Sequence, residues 1–214
     1  RESQLNNHDY LFKSKLVGVK QIDSGYKLDI KNAVGEIENV DCEWVINSAG
    51  LESDVIAEHI GNDFPKLKYS KGCYFKLSSK WISAFKRLIY PLPDKNHGTL
   101  GIHLSFDQTN SVKLGPSAHW LENRKEDYDI DNGLIDQFYN EGKLYIKNLE
   151  KSDLTPDYSG IRPKIYIDSN PMPDFYIEHE ETKGFPGWIN LIGIESPGLT
   201  ASMAIGNQIA EMIN

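Results

Sequence analysis

The chain has 214 residues, 39% of them hydrophobic and 25% charged, an ordinary make-up for a globular protein with a core and unlike that of a disordered chain. Its 31 acidic against 23 basic residues give a formal net charge of −8, and no Lys/Arg cluster is long enough to build a positive face. This excludes a nucleic-acid surface, whose affinity rests on neutralised phosphates. No apolar run approaches the ~20 residues that a membrane-spanning helix needs.

Length permits one domain or two small ones, burying on the order of 70% of the unfolded surface. The opening Arg1-Glu2-Ser3-Gln4 has neither an initiating Met nor an apolar signal core, so the chain reads as a fragment or a processed product. In chain order, Leu11 to Val19 alternates loosely. After the turn signal Asp23-Ser24-Gly25, Tyr26 to Ile30 alternates cleanly, and together they predict a hairpin. A polar stretch from Glu36 to Asp41 leads to Trp44-Val45-Ile46, a short apolar run expected to be a buried strand. Asn47-Ser48-Ala49-Gly50 follows, then helical character from Leu51 to Ile60. Small residues between a strand and a helix either make a tight turn or let the backbone approach a ligand closely.

From Tyr69 to Pro116 the pattern predicts an antiparallel sheet: Gly72 to Leu77, Leu88 to Pro93, Gly101 to Leu104 and Ser111 to Leu114, with short Gly, Pro or Asn turns between them. Ile130 to Leu149 carries apolar residues at helical spacing, weakened at Gly142, and predicts two helices or one broken one covering that sheet. Gly160-Ile161-Arg162-Pro163-Lys164 and a short strand at Phe175-Tyr176-Ile177 come next. Trp188 to Ile194 predicts a buried strand, Glu195 to Thr200 a Gly/Pro turn, and Ala201 to Ile213 a final helix. Small residues at the helix start allow either tight packing or a ligand against bare N–H donors. Cys42 and Cys73 give no disulfide framework and no zinc site; they read as small buried hydrophobes in strands.

Five segments in order resemble the branch of the D-amino-acid-oxidase-like flavoprotein superfamily that oxidises L-2-hydroxyglutarate. They are Val45 to Leu51; Lys71 to Phe75; Leu88 to Pro93 with Leu100 to Leu104; Tyr158 to Lys164; and Gly193 to Ser202. The resemblance implies an α+β fold: an incomplete Rossmann-like FAD-binding domain over residues 1–64 and 178–214, and an antiparallel-sheet substrate domain covered by helices over 65–177. It implies FAD as cofactor and oxidation of a small L-2-hydroxy acid with hydride transfer to the flavin. Leu16 would lie by the adenine and Ala49 and Gly50 by the dinucleotide, with Gly198, Leu199 and Thr200 presenting N–H groups to the flavin.

By the same likeness Arg162 meets a substrate carboxylate, which its fork of donors fits, and His103 is the base that takes the hydroxyl proton. Read without the likeness, Arg162 is a structural surface ion pair and His103 a core or strand-surface imidazole. Tyr74, Tyr90 and Tyr158 would line the pocket, and Lys71 would add a second positive contact for a dicarboxylate.

One departure stands against the match: the strand, Gly-x-Gly-x-x-Gly turn and helix that cradle a pyrophosphate do not occur, and Gly184 to Gly187 lacks the flanking elements to replace them. The implied gap of at least one βαβ unit, ~30 residues, would leave unpaired strand edges. Such edges call for a separate N-terminal chain or a homodimer as partner. The alternative is a non-catalytic remnant or a split-gene subunit that binds FAD only with its partner. The likeness places the protein in the cytoplasm or peripherally at the inner membrane.

Overall fold

The structure is a computed structural model that describes residues 8–61, 63–92, 101–167, 170–172 and 174–214. Arg1 to Gln4, Pro93 and Leu100, which figured in the sequence reading, lie outside the described residues. The fold is α+β. The chain divides into two compact units, one of Arg1–Leu67 with Ile165–Asn214 and the other of Lys68–Lys164.

The first unit opens with the expected hairpin, β1 (Lys15–Ile22) and β2 (Gly25–Lys31), antiparallel and turned at Gly25 with φ +120. The polar stretch expected to be a connection is instead a third strand, β3 (Ile37–Cys42), antiparallel to β2. Its side chains are exposed except at Cys42, so no apolar alternation marks it. Backbone pairing holds it, with Asn39 Nδ2 donating to Asp29 Oδ1 at 2.6 Å and Lys27 facing Asp41 at 3.6 Å.

β4 (Val45–Asn47) then leads through a 3-10 turn (Gly50–Glu52) into α1 (Ser53–Ala57), shorter than the predicted helix to Ile60. After the second unit the chain returns with β11 (Tyr176–His179), β12 (Trp188–Ile192) and α3 (Gly198–Ile213). β12 pairs with β4 in parallel and β11 in antiparallel fashion, and all five of its residues are buried, as befits a strand covered on both faces. Ile189 and Leu191 pack on Ile209 of α3, while Trp188 packs with Tyr26, Val45 and Ile56 on the other side. Among the described residues β12 is the sole neighbour of β4, so the far edge of β4 is open, as the sequence reading expected of a Rossmann-like sheet lacking strands.

The second unit is a sheet of β5 (Lys66–Leu77), β6 (His103–Phe106), β7 (Val112–Gly115) and β9 (Leu154–Ile167), in the order β9-β5-β7-β6, with β8 (His119–Trp120) also pairing β5. The last residues of β9 meet β10 (Asn170–Pro171). Leu88 to Leu92 forms no strand and contributes one bridge, Ile89 to Leu104. Gly160 to Lys164 lies within β9, a 14-residue strand that the sequence hid because Pro156, Gly160 and Pro163 all count against a strand.

α2 (Ile135–Gly142) covers one face of this sheet, and the stretch after it to Leu149 is turns rather than a second helix. Phe138 and Ile146 join Cys73, Phe75, Leu77, Leu104, Val112, Leu114 and Leu154 in one core, with the Phe75 and Phe138 rings 4.4 Å apart. Gly142 ends α2 at a point where a Cβ would stand 2.8 Å from Leu114 and 2.9 Å from Leu149, so the close approach selects glycine there.

Candidate functional site

Strand alternation decides which side chains of the second unit are free for chemistry. Cys73, Phe75 and Leu77, Leu104, and Val112 with Leu114 all turn to the core beneath α2. The intervening residues Tyr74 on β5, His103 on β6 and Lys113 on β7 therefore stand on the opposite face. Arg162 on β9 reaches the same face, since its Nη2 lies 3.4 Å from where a Cβ on Gly72 would sit. Gly72 thus makes room for the guanidinium and for Pro116, 2.9 Å from that same position.

Arg162 is half-buried, and among the described residues no carboxylate pairs with it. A guanidinium with five donors and no protein acid beside it is available to an anion. His103 Nδ1 lies 3.2 Å from the Gly101 carbonyl oxygen. A carbonyl only accepts, so Nδ1 carries the proton and Nε2 keeps a lone pair. Burial, and then the Arg162 charge, lower the His103 pKa from 6.5 against the opposing pull of that carbonyl, so the imidazole is neutral at neutral pH.

Tyr90 stacks on the His103 ring at 4.4 Å, and Tyr74 stacks on Tyr158 at 4.5 Å. Burial raises the Tyr74 phenol, so it remains a donor through the neutral range. Five of the residues expected at the substrate, His103, Arg162, Tyr74, Tyr90 and Tyr158, are thereby tied to one face through these contacts. Lys71 behaves differently: its side chain is 9% exposed, with the ammonium 3.0 Å from Asp127 Oδ2 and against the Asp129 carbonyl. That ammonium is engaged within the protein.

The first unit holds the residues expected at the cofactor. Gly50 takes φ +58, and a Cβ there would meet nothing within 4 Å, so a ligand can come up to the backbone. The turn from Asn47 to Ser53 is pinned from within. Asn47 Nδ2 donates to Ser53 O at 2.7 Å and to Asn190 Oδ1 at 2.8 Å, Ala49 N–H donates to Asn47 Oδ1 at 3.3 Å, and Ser53 Oγ donates to Gly50 O at 2.9 Å. Buried Asn190 also accepts from Trp188 Nε1 at 2.9 Å and donates to Glu180 Oε1 at 2.8 Å. Sequence reading missed Asn190 and Glu180, because two polar residues inside apolar strands carry no period of their own. Leu16 on β1 is partly buried against the Tyr26 cluster.

Gly198, Leu199 and Thr200, read in the sequence as a turn, form the first turn of α3. Gly198 N–H donates to the Glu195 carbonyl, and a Cβ at this position would lie 2.5 Å from Ile194, so this glycine serves packing. Leu199 is 91% exposed. Among the described residues the N–H groups of Leu199 and Thr200 have no protein acceptor, and Pro197 offers no side-chain cap. Two bare donors at the positive end of a 16-residue helix fit an electron-rich ring edge or an anion.

A family profile described as "DAO: FAD dependent oxidoreductase" matches residues 4–212. The chain is 42% identical over 178 residues to mitochondrial L-2-hydroxyglutarate dehydrogenase of Arabidopsis thaliana, a match over 78% of the chain and 36% of that protein. It is 28% identical to the glycerol 3-phosphate oxidase of Mycoplasma genitalium, over 99% of the chain and 53% of that protein. The FAD-bound, dithionite-reduced L-alpha-glycerophosphate oxidase of Mycoplasma pneumoniae shares the fold, with a TM-score of 0.72 at 23% identity over 90% of this chain and 48% of that one. The chain spans roughly a third to a half of the length of these relatives. Among the described residues no helix is long and apolar enough to cross a membrane, and no His/Cys/Asp/Glu group could hold a metal.

Proposed function

The chain belongs to the family of FAD-dependent oxidoreductases, and from that premise we propose that it takes part in the oxidation of a small L-2-hydroxy acid, with L-2-hydroxyglutarate first among the substrates. The observation that carries this reading is that one sheet face bears both a guanidinium with no carboxylate partner among the described residues and an imidazole whose Nδ1 faces the Gly101 carbonyl, leaving Nε2 to accept. Arg162 holds the C1 carboxylate by two parallel hydrogen bonds. His103 Nε2 takes the proton of the adjacent hydroxyl, and the Tyr90 ring stacked on the imidazole limits its rotation. Tyr74 and Tyr158 give the pocket an apolar wall with polar tips.

In this reading Ala49, Gly50, Leu199 and Thr200 hold the cofactor, with Leu16 toward its adenine end. When bound, FAD supplies the acceptor for the hydride leaving C2. The Leu199 and Thr200 N–H groups favour negative charge beside them. The cradle for the pyrophosphate comes from outside these 214 residues, in a preceding segment, a separate chain or a second copy.

The identity of the Arabidopsis relative favours the hydroxy acid, while the glycerol 3-phosphate relatives supply the second reading, since one guanidinium also fits a phosphate. Competition between L-2-hydroxyglutarate, glycerol 3-phosphate, glycine, sarcosine and a D-amino acid for turnover by the holoprotein tests the choice. Preference for L-2-hydroxyglutarate by kcat/KM is expected. Preference for the phosphate ester would replace it, and an inert protein that binds no FAD with any partner would leave a non-catalytic module.

A further inference from the structure

Lys113 was not among the residues expected at the site, yet it stands on the same sheet face. Its partner in register, Ser105, is two residues from His103. Its side chain is only 14% exposed. The ammonium lies 2.7 Å from Asp157 Oδ2, 3.5 Å from Asp107 Oδ2, and 4.7 Å from the centroid of the Tyr158 ring. Asp107 is itself anchored, accepting from the Thr109 N–H and hydroxyl and from the Ser111 N–H.

Two carboxylates already neutralise this cation, so a substrate anion gains little from it. Its remaining contact is the ring. Tyr158 is 48% exposed on its strand, and a half-exposed tyrosine ordinarily samples several rotamers. Here the ring is held by Tyr74, stacked at 4.5 Å with planes 16° apart, and by the ammonium. A desolvated ammonium over an electron-rich ring is a directional attraction, and the Asp157 bond fixes where the ammonium sits.

We propose that Lys113 is a positioning residue: clamped by Asp157 and Asp107, it fixes the Tyr158 ring parallel to Tyr74 and so sets the wall of the site that bears Arg162. The proposal rests on the reading of this face as the substrate site. It assigns to Lys113 an effect on substrate binding transmitted through Tyr158.

The test is a double-mutant cycle in the holoprotein with Lys113→Met, Tyr158→Ala and both together, with Lys113→Arg as the rescue. Lys113→Met should raise KM for the preferred substrate roughly three- to tenfold with kcat within about twofold, and Lys113→Arg should recover most of it. In the Tyr158→Ala background Lys113→Met should add nothing further. Additive effects, or a fall in kcat with KM unchanged, would overturn the proposal. A crystal structure of the Lys113→Met protein reads the clamp without turnover: the Tyr158 ring should leave its stack on Tyr74, and a stack kept unchanged counts against it. A wild-type holoprotein inert to all the substrates above would sink the functional reading instead, leaving the crystallographic arm to decide the clamp.

Discussion

Arg162 and His103 make opposite electrical demands on one small surface, and their arrangement meets both. A positive guanidinium near an imidazole disfavours a second positive charge, which helps keep His103 neutral and able to accept a proton. Because the folded-state pKa lies below 6.5, kcat/KM should stay level through neutral pH and fall only as the pH drops under that value. The same depression makes the folded protein lose stability as pH falls through the folded pKa, since the unfolded chain then binds the proton more readily. A kcat/KM profile from pH 5 to 8 checks this, with an acid limb above about 7 contradicting it. His103→Asn should lower kcat by about 10²- to 10⁴-fold and abolish the limb. Arg162→Met should cost kcat/KM on the order of 10²-fold, with Arg162→Lys intermediate because an ammonium cannot form the paired bonds. Both residues were legible in the sequence only through the motifs around them. Lys113 was not, because its meaning comes from Asp157 and Tyr158 on a strand far along the chain.

The elements that carry the two candidate sites differ in how openly the sequence announced them. Trp188 to Ile192 is an apolar run and was read directly, whereas β9 was hidden by its prolines and its glycine, and β3 by having no buried face. The short α1 has little hydrogen bonding of its own, so the Asn47–Asn190–Glu180 chain of buried bonds fixes the turn before it. Asn190→Leu would strand the Trp188 indole N–H in a dry interior and take one hydrogen bond each from the Asn47 amide and the Glu180 carboxylate. Loss of about 2–4 kcal/mol in urea unfolding is expected, and a loss under ~1 kcal/mol would show that the chain is not cooperative. At α3, Leu199→Pro removes one bare donor at a position where a helix tolerates proline. FAD affinity should fall roughly three- to tenfold with unchanged far-UV circular dichroism; unaltered affinity would remove the helix start from the cofactor site.

For the whole molecule, composition and charge excluded a nucleic-acid face and a spanning helix but could not name a reaction. The ordered motifs supplied the family; the chain spans roughly a third to a half of the relatives' length, and no Gly-x-Gly-x-x-Gly fingerprint occurs in these 214 residues. Among the described residues β4 has β12 as its one strand neighbour. Each unit can be read alone: among the described residues, amides without acceptors and an accessible glycine backbone in the first, and a guanidinium without a carboxylate partner near an imidazole of lowered pKa in the second. Anaerobic mixing of the holoprotein with L-2-hydroxyglutarate is the sharpest test of the proposed oxidation. The visible flavin band should bleach with the wild-type protein and stay unbleached with Arg162→Met at the same substrate concentration. Equal bleaching of both proteins, or none with either, would contradict it.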